Sequence, residues 1–272
     1  MFRVMNRRHG RVRVRNQAGC QASRLRRELV RERRSCSLAT TIVLAATVLL
    51  VGTAMLPALA SGGRQVVLLH EDFEAGLPSR WVERGFPSIE RKNRFSIGVE
   101  PSGNHYLEVR SDRSTSGKGV RLKFDPRRCP VVSWRWKISR VIASADLYRK
   151  DGDDSAAKLY ILFGGPSRWN PFDKRLIVYV WDNRLPPGTI LPNAWEPEKA
   201  RMVVLESGTA RAGAWVPERV DLARDYRRAF GGEELRPVEA LAFMADTDNT
   251  GEQVTAGFDD LEVRCTGGVV DR

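Results

Sequence analysis

Val132-Ser-Trp-Arg-Trp-Lys-Ile138 is the stretch whose reading decides the fold. Val132, Trp134, Trp136 and Ile138 alternate with Ser133, Arg135 and Lys137, and a period of two belongs to a strand with one apolar and one polar face. The same alternation surrounds it. Phe95, Ile97 and Val99 share one parity, as do Leu107 with Val109, and Val120, Leu122 and Phe124. Segments 156–163, 175–181, 201–206, 238–245 and 255–263 read as further strands, several apolar on both faces. Turn-forming residues punctuate the gaps, as in Pro101-Ser-Gly-Asn104 and Pro186-Pro-Gly188. One helix interrupts the pattern at about 221–230, with Asp221 as its cap and Gly231 as its stop. Roughly ten strands without a strand–helix–strand rhythm predict an all-β fold, an antiparallel two-sheet sandwich of jelly-roll type with one short helix.

Residues 1–60 read differently. The segment from Ser35 to Gly63 is uncharged and contains nineteen consecutive largely apolar residues, Leu38 to Leu56, ahead of Pro57 and Ala58-Leu59-Ala60. A basic flank, an apolar core and a small-x-small site make an export signal. Cleavage after Ala60 is expected, which places the domain of residues 61–272 in the periplasm or outside the cell. The alternative is a retained single span, with membrane contact through 38–56 alone and the domain still outside the cytoplasm. Of the 45 basic and 33 acidic side chains, twelve Arg and two Glu lie in residues 1–60, leaving 33 and 31 for the rest. The pI near 10.1 therefore belongs to the leader, and the domain lacks the basic excess that nucleic-acid binding requires.

Removal of the leader takes Cys20 and Cys36 with it and leaves Cys129 and Cys265 in an oxidising compartment. A bridge between these two is predicted, with two separate thiols as the alternative. Only His70 and His105 remain in the domain, too few for a His-rich zinc site.

The chain resembles the bacterial domain-of-unknown-function family numbered 3047. The residues that carry this are Trp134-Arg-Trp-Lys137, Asp151-Gly-Asp-Asp-Ser-Ala-Ala-Lys-Leu-Tyr-Ile-Leu-Phe163, Val178-Tyr-Val-Trp181, Asp225-Tyr226 before Phe230-Gly231, and Ala245-Asp-Thr-Asp-Asn-Thr-Gly251. The resemblance covers most of 68–264 and implies an exported β-rich domain without an established activity. More loosely, Glu71-Asp-Phe-Glu-Ala-Gly-Leu-Pro-Ser-Arg-Trp81 and Gly257-Phe-Asp-Asp-Leu-Glu-Val263 are similar to the two ends of jelly-roll carbohydrate-binding modules, where a structural calcium is often shared. That resemblance makes Asp72, Glu74, Asp259 and Asp260 candidate ligands, since calcium takes carboxylate oxygens. Pairing with arginine or with water is the competing account. The Asp246-Thr-Asp-Asn-Thr-Gly251 segment opens like a calcium loop, but position twelve is Gly257 where a bidentate Glu is needed; a tight polar turn is the simpler expectation.

For catalysis the candidates are Asp153, Asp154 and Lys158, with Asp151, and with Arg135 and Lys137 if their strand is a neighbour; Asp246 and Asp248 lie near by. Paired carboxylates can work as acid and base on a glycosidic bond, and cross-strand salt bridges are the alternative. Trp134 and Trp136 belong to the core. Trp169, Trp195 and Trp215 sit in Pro- and Gly-rich loops and are candidate ligand-binding residues, able to form a platform for a sugar ring or to plug the sandwich ends. The sequence thus points first to an exported binding protein for a glycan or another cell-envelope component. An envelope hydrolase or lyase is the second reading, and a structural or assembly protein without a small ligand the third.

Overall fold

Alternating burial runs the length of strand β6 (Val131–Ile138), where every second side chain is buried. Its inward residues Trp134 and Trp136 meet edge-on at 5.4 Å, and across the sandwich they approach Tyr179 at 5.7 Å and Trp181 at 6.0 Å. Large apolar rings from two facing sheets thus make the core, which is where most of the stabilising area is removed from water.

The computed structural model describes residues 65–165 and 173–267. The leader 1–60, including 38–56, and Trp169 lie outside the described residues. The remaining strands are β1 (Val66–Glu71), β2 (Val82–Arg84), β3 (Arg94–Val99), β4 (His105–Asp112), β5 (Thr115–Phe124), β7 (Ser155–Phe163), β8 (Arg175–Asp182), β9 (Ile190–Pro192), β10 (Ala200–Ser207), β11 (Val216–Asp221), β12 (Val238–Asp246) and β13 (Gln253–Cys265). One sheet has the order β11-β6-β13-β4-β3, with β1 on the far half of β13; the other has the order β2-β5-β12-β7-β8-β10-β9. The all-β two-sheet sandwich is the fold the alternation predicts. All pairings are antiparallel but one: β8 and β10 run parallel, because the three-residue β9 takes the antiparallel place beside β10.

Helix α1 (Leu222–Phe230) forms where its signals lie. The Asp221 carboxylate accepts the Arg224 N–H at 2.8 Å, and Gly231 closes the last turn at φ +64° with its N–H on the Arg227 carbonyl. Leu222, Tyr226, Ala229 and Phe230 face the core.

Cys129 and Cys265 are bonded to each other, 136 residues apart in sequence. The bridge ties the β5–β6 connection to the end of β13, and the Thr266 N–H donates to the Arg128 carbonyl beside it at 2.8 Å.

The seven-stranded sheet is apolar on both faces. Leu159, Ile161 and Phe163 enter the main core, whereas Val178, Val180, Met202 and Val204 form a second cluster on the outer face under Leu147 and Leu191. Leu147 belongs to the long β6–β7 connection, which folds back over that face. The uncovered remainder of the face holds the candidate site.

Candidate functional site

Strand β7 gains one residue relative to β12 between Lys158, opposite Met244, and Ser155, opposite Asp246. A bulge of this kind bends a strand and re-aims its side chains. Here it brings Asp153 and Asp154, just ahead of β7, to Asp246 and Asp248 at the end of β12. Lys158, Met244 and Asp246 have the outward parity on their strands. The Lys158 side chain is nonetheless almost entirely buried, at 1% exposure, and its Nζ donates to Asp246 Oδ2 at 2.9 Å and to the Asp153 carbonyl at 3.2 Å. Asp153 Oδ1 is 3.9 Å from the same ammonium.

The other contacts hold the acids in place. Asp153 Oδ2 accepts Asn193 Nδ2 at 2.9 Å, and Asp154 accepts the backbone N–H groups of Asn249 and Thr250 at 3.3 and 2.7 Å. Two oxygens are left over: Asp153 Oδ1 and Asp246 Oδ1 are buried with no hydrogen-bond partner. Burial pushes the Asp246 carboxyl up to about 6 against the pull of Lys158, with Asp248 beside it adding to the rise. Asp153 and Asp154 are raised as well, chiefly by burial. Burial alone would lower Lys158; Asp246, Tyr160 and Asp153 together hold it well above the ordinary lysine value.

Asp153, Asp246 and Asp248 line a cleft of about 320 Å³ on the outer face together with the aromatic residues Tyr160, Trp195 and Phe86. Trp195 is 53% exposed. Asn193 sets its position, because its Oδ1 accepts the N–H groups of both Trp195 and Glu196 at 3.0 Å while its Nδ2 holds Asp153. Asn193, Tyr160 and Phe86 were not among the residues singled out from the sequence. Tyr160 had a signal, being two residues from Lys158 and thus of equal parity.

Two expected groupings are corrected by the topology. Arg135 and Lys137 do not join Asp153, Asp154 and Lys158, because β6 pairs with β11 and β13 whereas β7 pairs with β12 and β8. They lie on the outer face of the opposite sheet, where the guanidinium carbon of Arg135 and the Nζ of Lys137 each lie 4.8 Å from the Trp215 ring. Trp215 packs on Tyr106 and on β13 at Gly257, where any Cβ would meet the indole at 3.1 Å. Trp195 and Trp215 therefore occupy opposite faces and share no platform. Asp151 points away too, paired with Arg149 at 2.6 Å in the open.

The acids at the two ends are occupied by other partners. Asp259 and Asp260 form a bulge in β13, with Asp260 at φ +50°, and Arg135 clamps both, at 2.6 and 2.8 Å. Asn104 donates a further bond to Asp259 at 2.9 Å. Glu74 pairs with His105 at 2.7 Å, which holds its carboxyl below the usual range, and Asp72 lies 3.5 Å from His70. Among the described residues, the one set of three acids whose ligand atoms lie within 4.8 Å of one another is Asp154, Asp246 and Asp248.

A larger basin of about 730 Å³ lies elsewhere, lined by Arg91, Lys92, Arg94, Arg110 and Arg140 among polar residues. It offers no aromatic wall, and Arg91, Arg110 and Arg140 already have acidic neighbours.

Residues 79–262 match the family described as "Protein of unknown function (DUF3047)". The chain belongs to the DUF3047 family. No curated protein matches this DUF3047 chain by sequence. Among solved structures it is similar to the CBM22-1 xylan-binding domain of Paenibacillus barcinonensis Xyn10C, at 14% identity and a TM-score of 0.37 over 75% of this chain and 97% of that one. It is similar also to the family 30 carbohydrate-binding module of a Clostridium thermocellum cellulosomal cellulase, at 11% identity and 0.41, covering 75% and 99%. The cellulose-induced protein Cip1 follows at 16% and 0.37, covering 72% and 96%. At these values no statement about activity passes from them to the DUF3047 chain.

The DUF3047 sandwich has a second carboxyl pair, Glu206 on β10 and Glu218 on β11. Trp136 Nε1 donates to Glu218 Oε1 at 3.2 Å, and Arg211 engages the neighbouring Glu206. Burial, followed by the Glu206 charge, pushes Glu218 up to about 8. A carboxyl raised on folding favours the native state while it is protonated, and that contribution is lost as pH rises from its ordinary value of 4.5 through 8. Melting temperature should accordingly fall across this window, and Glu218→Gln should flatten the fall. Parallel melting curves of the two proteins from pH 5 to 8 would refute the assignment.

Proposed function

We propose that this protein is an exported cell-envelope protein that binds a glycan in the cleft between Trp195 and the Asp153–Asp246–Asp248 wall. The observation that carries the proposal is the half-exposed Trp195, its backbone N–H held by Asn193, on one cleft with the carboxylates of Asp153, Asp246 and Asp248 and the amide of Asn249. A pyranose presents apolar C–H faces and equatorial hydroxyls, so it needs a ring to stack on and acceptors at its edge; both are here. The basic leader with its apolar core, and a disulfide of the kind retained in oxidising compartments, support a location outside the cytoplasm.

A stacked ring contributes on the order of 1 kcal/mol, about fivefold in Kd, so affinity in the millimolar to micromolar range is expected. Titration calorimetry against soluble neutral and acidic polysaccharides should give saturable binding that Trp195→Ala weakens by about that factor with the fold intact. Trp215→Ala, on the opposite face, should leave binding unchanged. Absence of binding across the panel, or equal loss in both variants, would overturn the proposal.

The raised Asp246 carboxyl favours a hydrolase as the second reading, with Asp246 as general acid and Asp153 or Asp154 as the second carboxyl of the pair. Release of reducing ends from a bound polysaccharide, lost in Asp246→Asn, would move that reading to first place.

A further inference from the structure

The charges at the end of the cleft do not balance. Lys158 supplies one buried ammonium, on Asp246 and near Asp153, to a group that also holds Asp154 and Asp248; Asp153, Asp154 and Asp246 are 5%, 1% and 6% exposed. Carboxylates taken out of water need a compensating cation or hydrogen bonds on their free oxygens. Asp154 has its two backbone donors. Asp246 has Lys158 on one oxygen only, and its Oδ1 is buried without a partner; Asp153 Oδ1, on the same cleft wall, is in the same position. A glycan hydroxyl entering the cleft could bond one of these oxygens, but it would leave the excess negative charge unchanged.

We infer that Asp154, Asp246 and Asp248 hold a divalent, calcium-like cation at the end of the cleft. Their ligand atoms lie within 4.8 Å of one another. Two oxygens bound to one calcium at about 2.4 Å can be at most about 4.8 Å apart, and each pair among the three meets that condition for a shared ion. All three donors are hard carboxylate oxygens with no thiol or imidazole beside them, a set that suits calcium and not zinc or copper. The ion would reduce the formal charge of the three carboxylates from −3 to −1 and supply a positive partner beside Asp246, whose Oδ1 has none. Three protein ligands leave calcium short of its usual six to eight, and because Asp246 and Asp248 line the cleft, the open positions face whatever occupies it. Sugar hydroxyls are suitable donors for those positions. This last step rests on the glycan-binding proposal; the ion site itself does not.

The test uses the purified, calcium-stripped protein with Ca²⁺ alone, and then Tb³⁺ as a luminescent substitute excited through Trp195 on the same cleft. One saturable Ca²⁺ site by calorimetry is expected, with Tb³⁺ emission that Ca²⁺ displaces. Asp248→Asn, isosteric and at a partly buried position, should weaken Ca²⁺ at least about tenfold with an unchanged circular dichroism spectrum, the scale of loss that even supporting residues of metal sites show. No saturation above the roughly 0.1–1 mM range of extracellular calcium modules would overturn the inference. So would equal affinity in Asp248→Asn, or affinity that falls equally in a Glu74→Gln control at the opposite end. Calcium binding without glycan binding would sustain the site and refute the cleft proposal alone.

Discussion

Replacing both Cys129 and Cys265 by serine should cost the domain about 4–5 kcal/mol. The bridge closes a loop of 136 residues, and the entropy of closing such a loop in the unfolded chain scales with its logarithm. In the native state the same ends are also held by the Thr266 N–H on the Arg128 carbonyl and by the β1–β13 and β6–β13 ladders, so the serine variant should keep the same fold. The expected signature is a lower denaturant midpoint with a slope that does not fall and rises if the freed unfolded chain expands, because the slope follows the area exposed on unfolding. A loss under about 1 kcal/mol would mean that the reduced unfolded chain is already compact, and free thiol in unreduced native protein would remove the premise.

What could be read from the sequence divides along a physical line. Parity within one strand is local, so Trp134 and Trp136 were legible as core residues, and so was the two-sheet sandwich. Helix capping is equally local, and Asp221 with Gly231 marked α1 correctly. Which strand lies beside which is set by the packing of the whole chain. Consecutive β6 and β7 enter different sheets, so Arg135 and Lys137, close to Lys158 in sequence, sit on the far side of the sandwich. The parallel β8–β10 pair was hidden for the same reason, since no helix marks the crossover. Asp259-Asp260 has the composition of a cation loop, but its two carboxylates stay on a bulge because Arg135 reaches both. Asp246 and Asp248 were visible as a polar loop; their meeting with Asp154 required the extra residue in β7, which no periodicity reveals. Trp195 was legible as a loop aromatic, whereas Asn193, which positions it, has no signature beyond its place in Asn193-Ala-Trp.

Lys158→Met should destabilise the protein by about 3–5 kcal/mol although methionine fits the volume. The ammonium is 1% exposed and lies between Asp246 and Asp153, so its removal leaves carboxylates buried without a counter-charge. Removing one partner of a buried pair costs far more than exchanging both for neutral groups. Asp246→Asn added to Lys158→Met should therefore recover part of the loss, a coupling of about 1–3 kcal/mol between residues in contact. Additive effects in that double variant would show that the two side chains do not interact and would undo the account of the site. The same variant also bears on the proposed ion. With the ammonium gone, the acidic group carries a larger excess of negative charge, so Lys158→Met should bind Ca²⁺ more tightly than the parent. It should also gain more in melting temperature from saturating Ca²⁺, since a ligand bound by the native state alone stabilises it in proportion to the logarithm of its occupancy. Equal calcium gains in parent and variant would place the ion, if one binds, away from Lys158 and so away from Asp246.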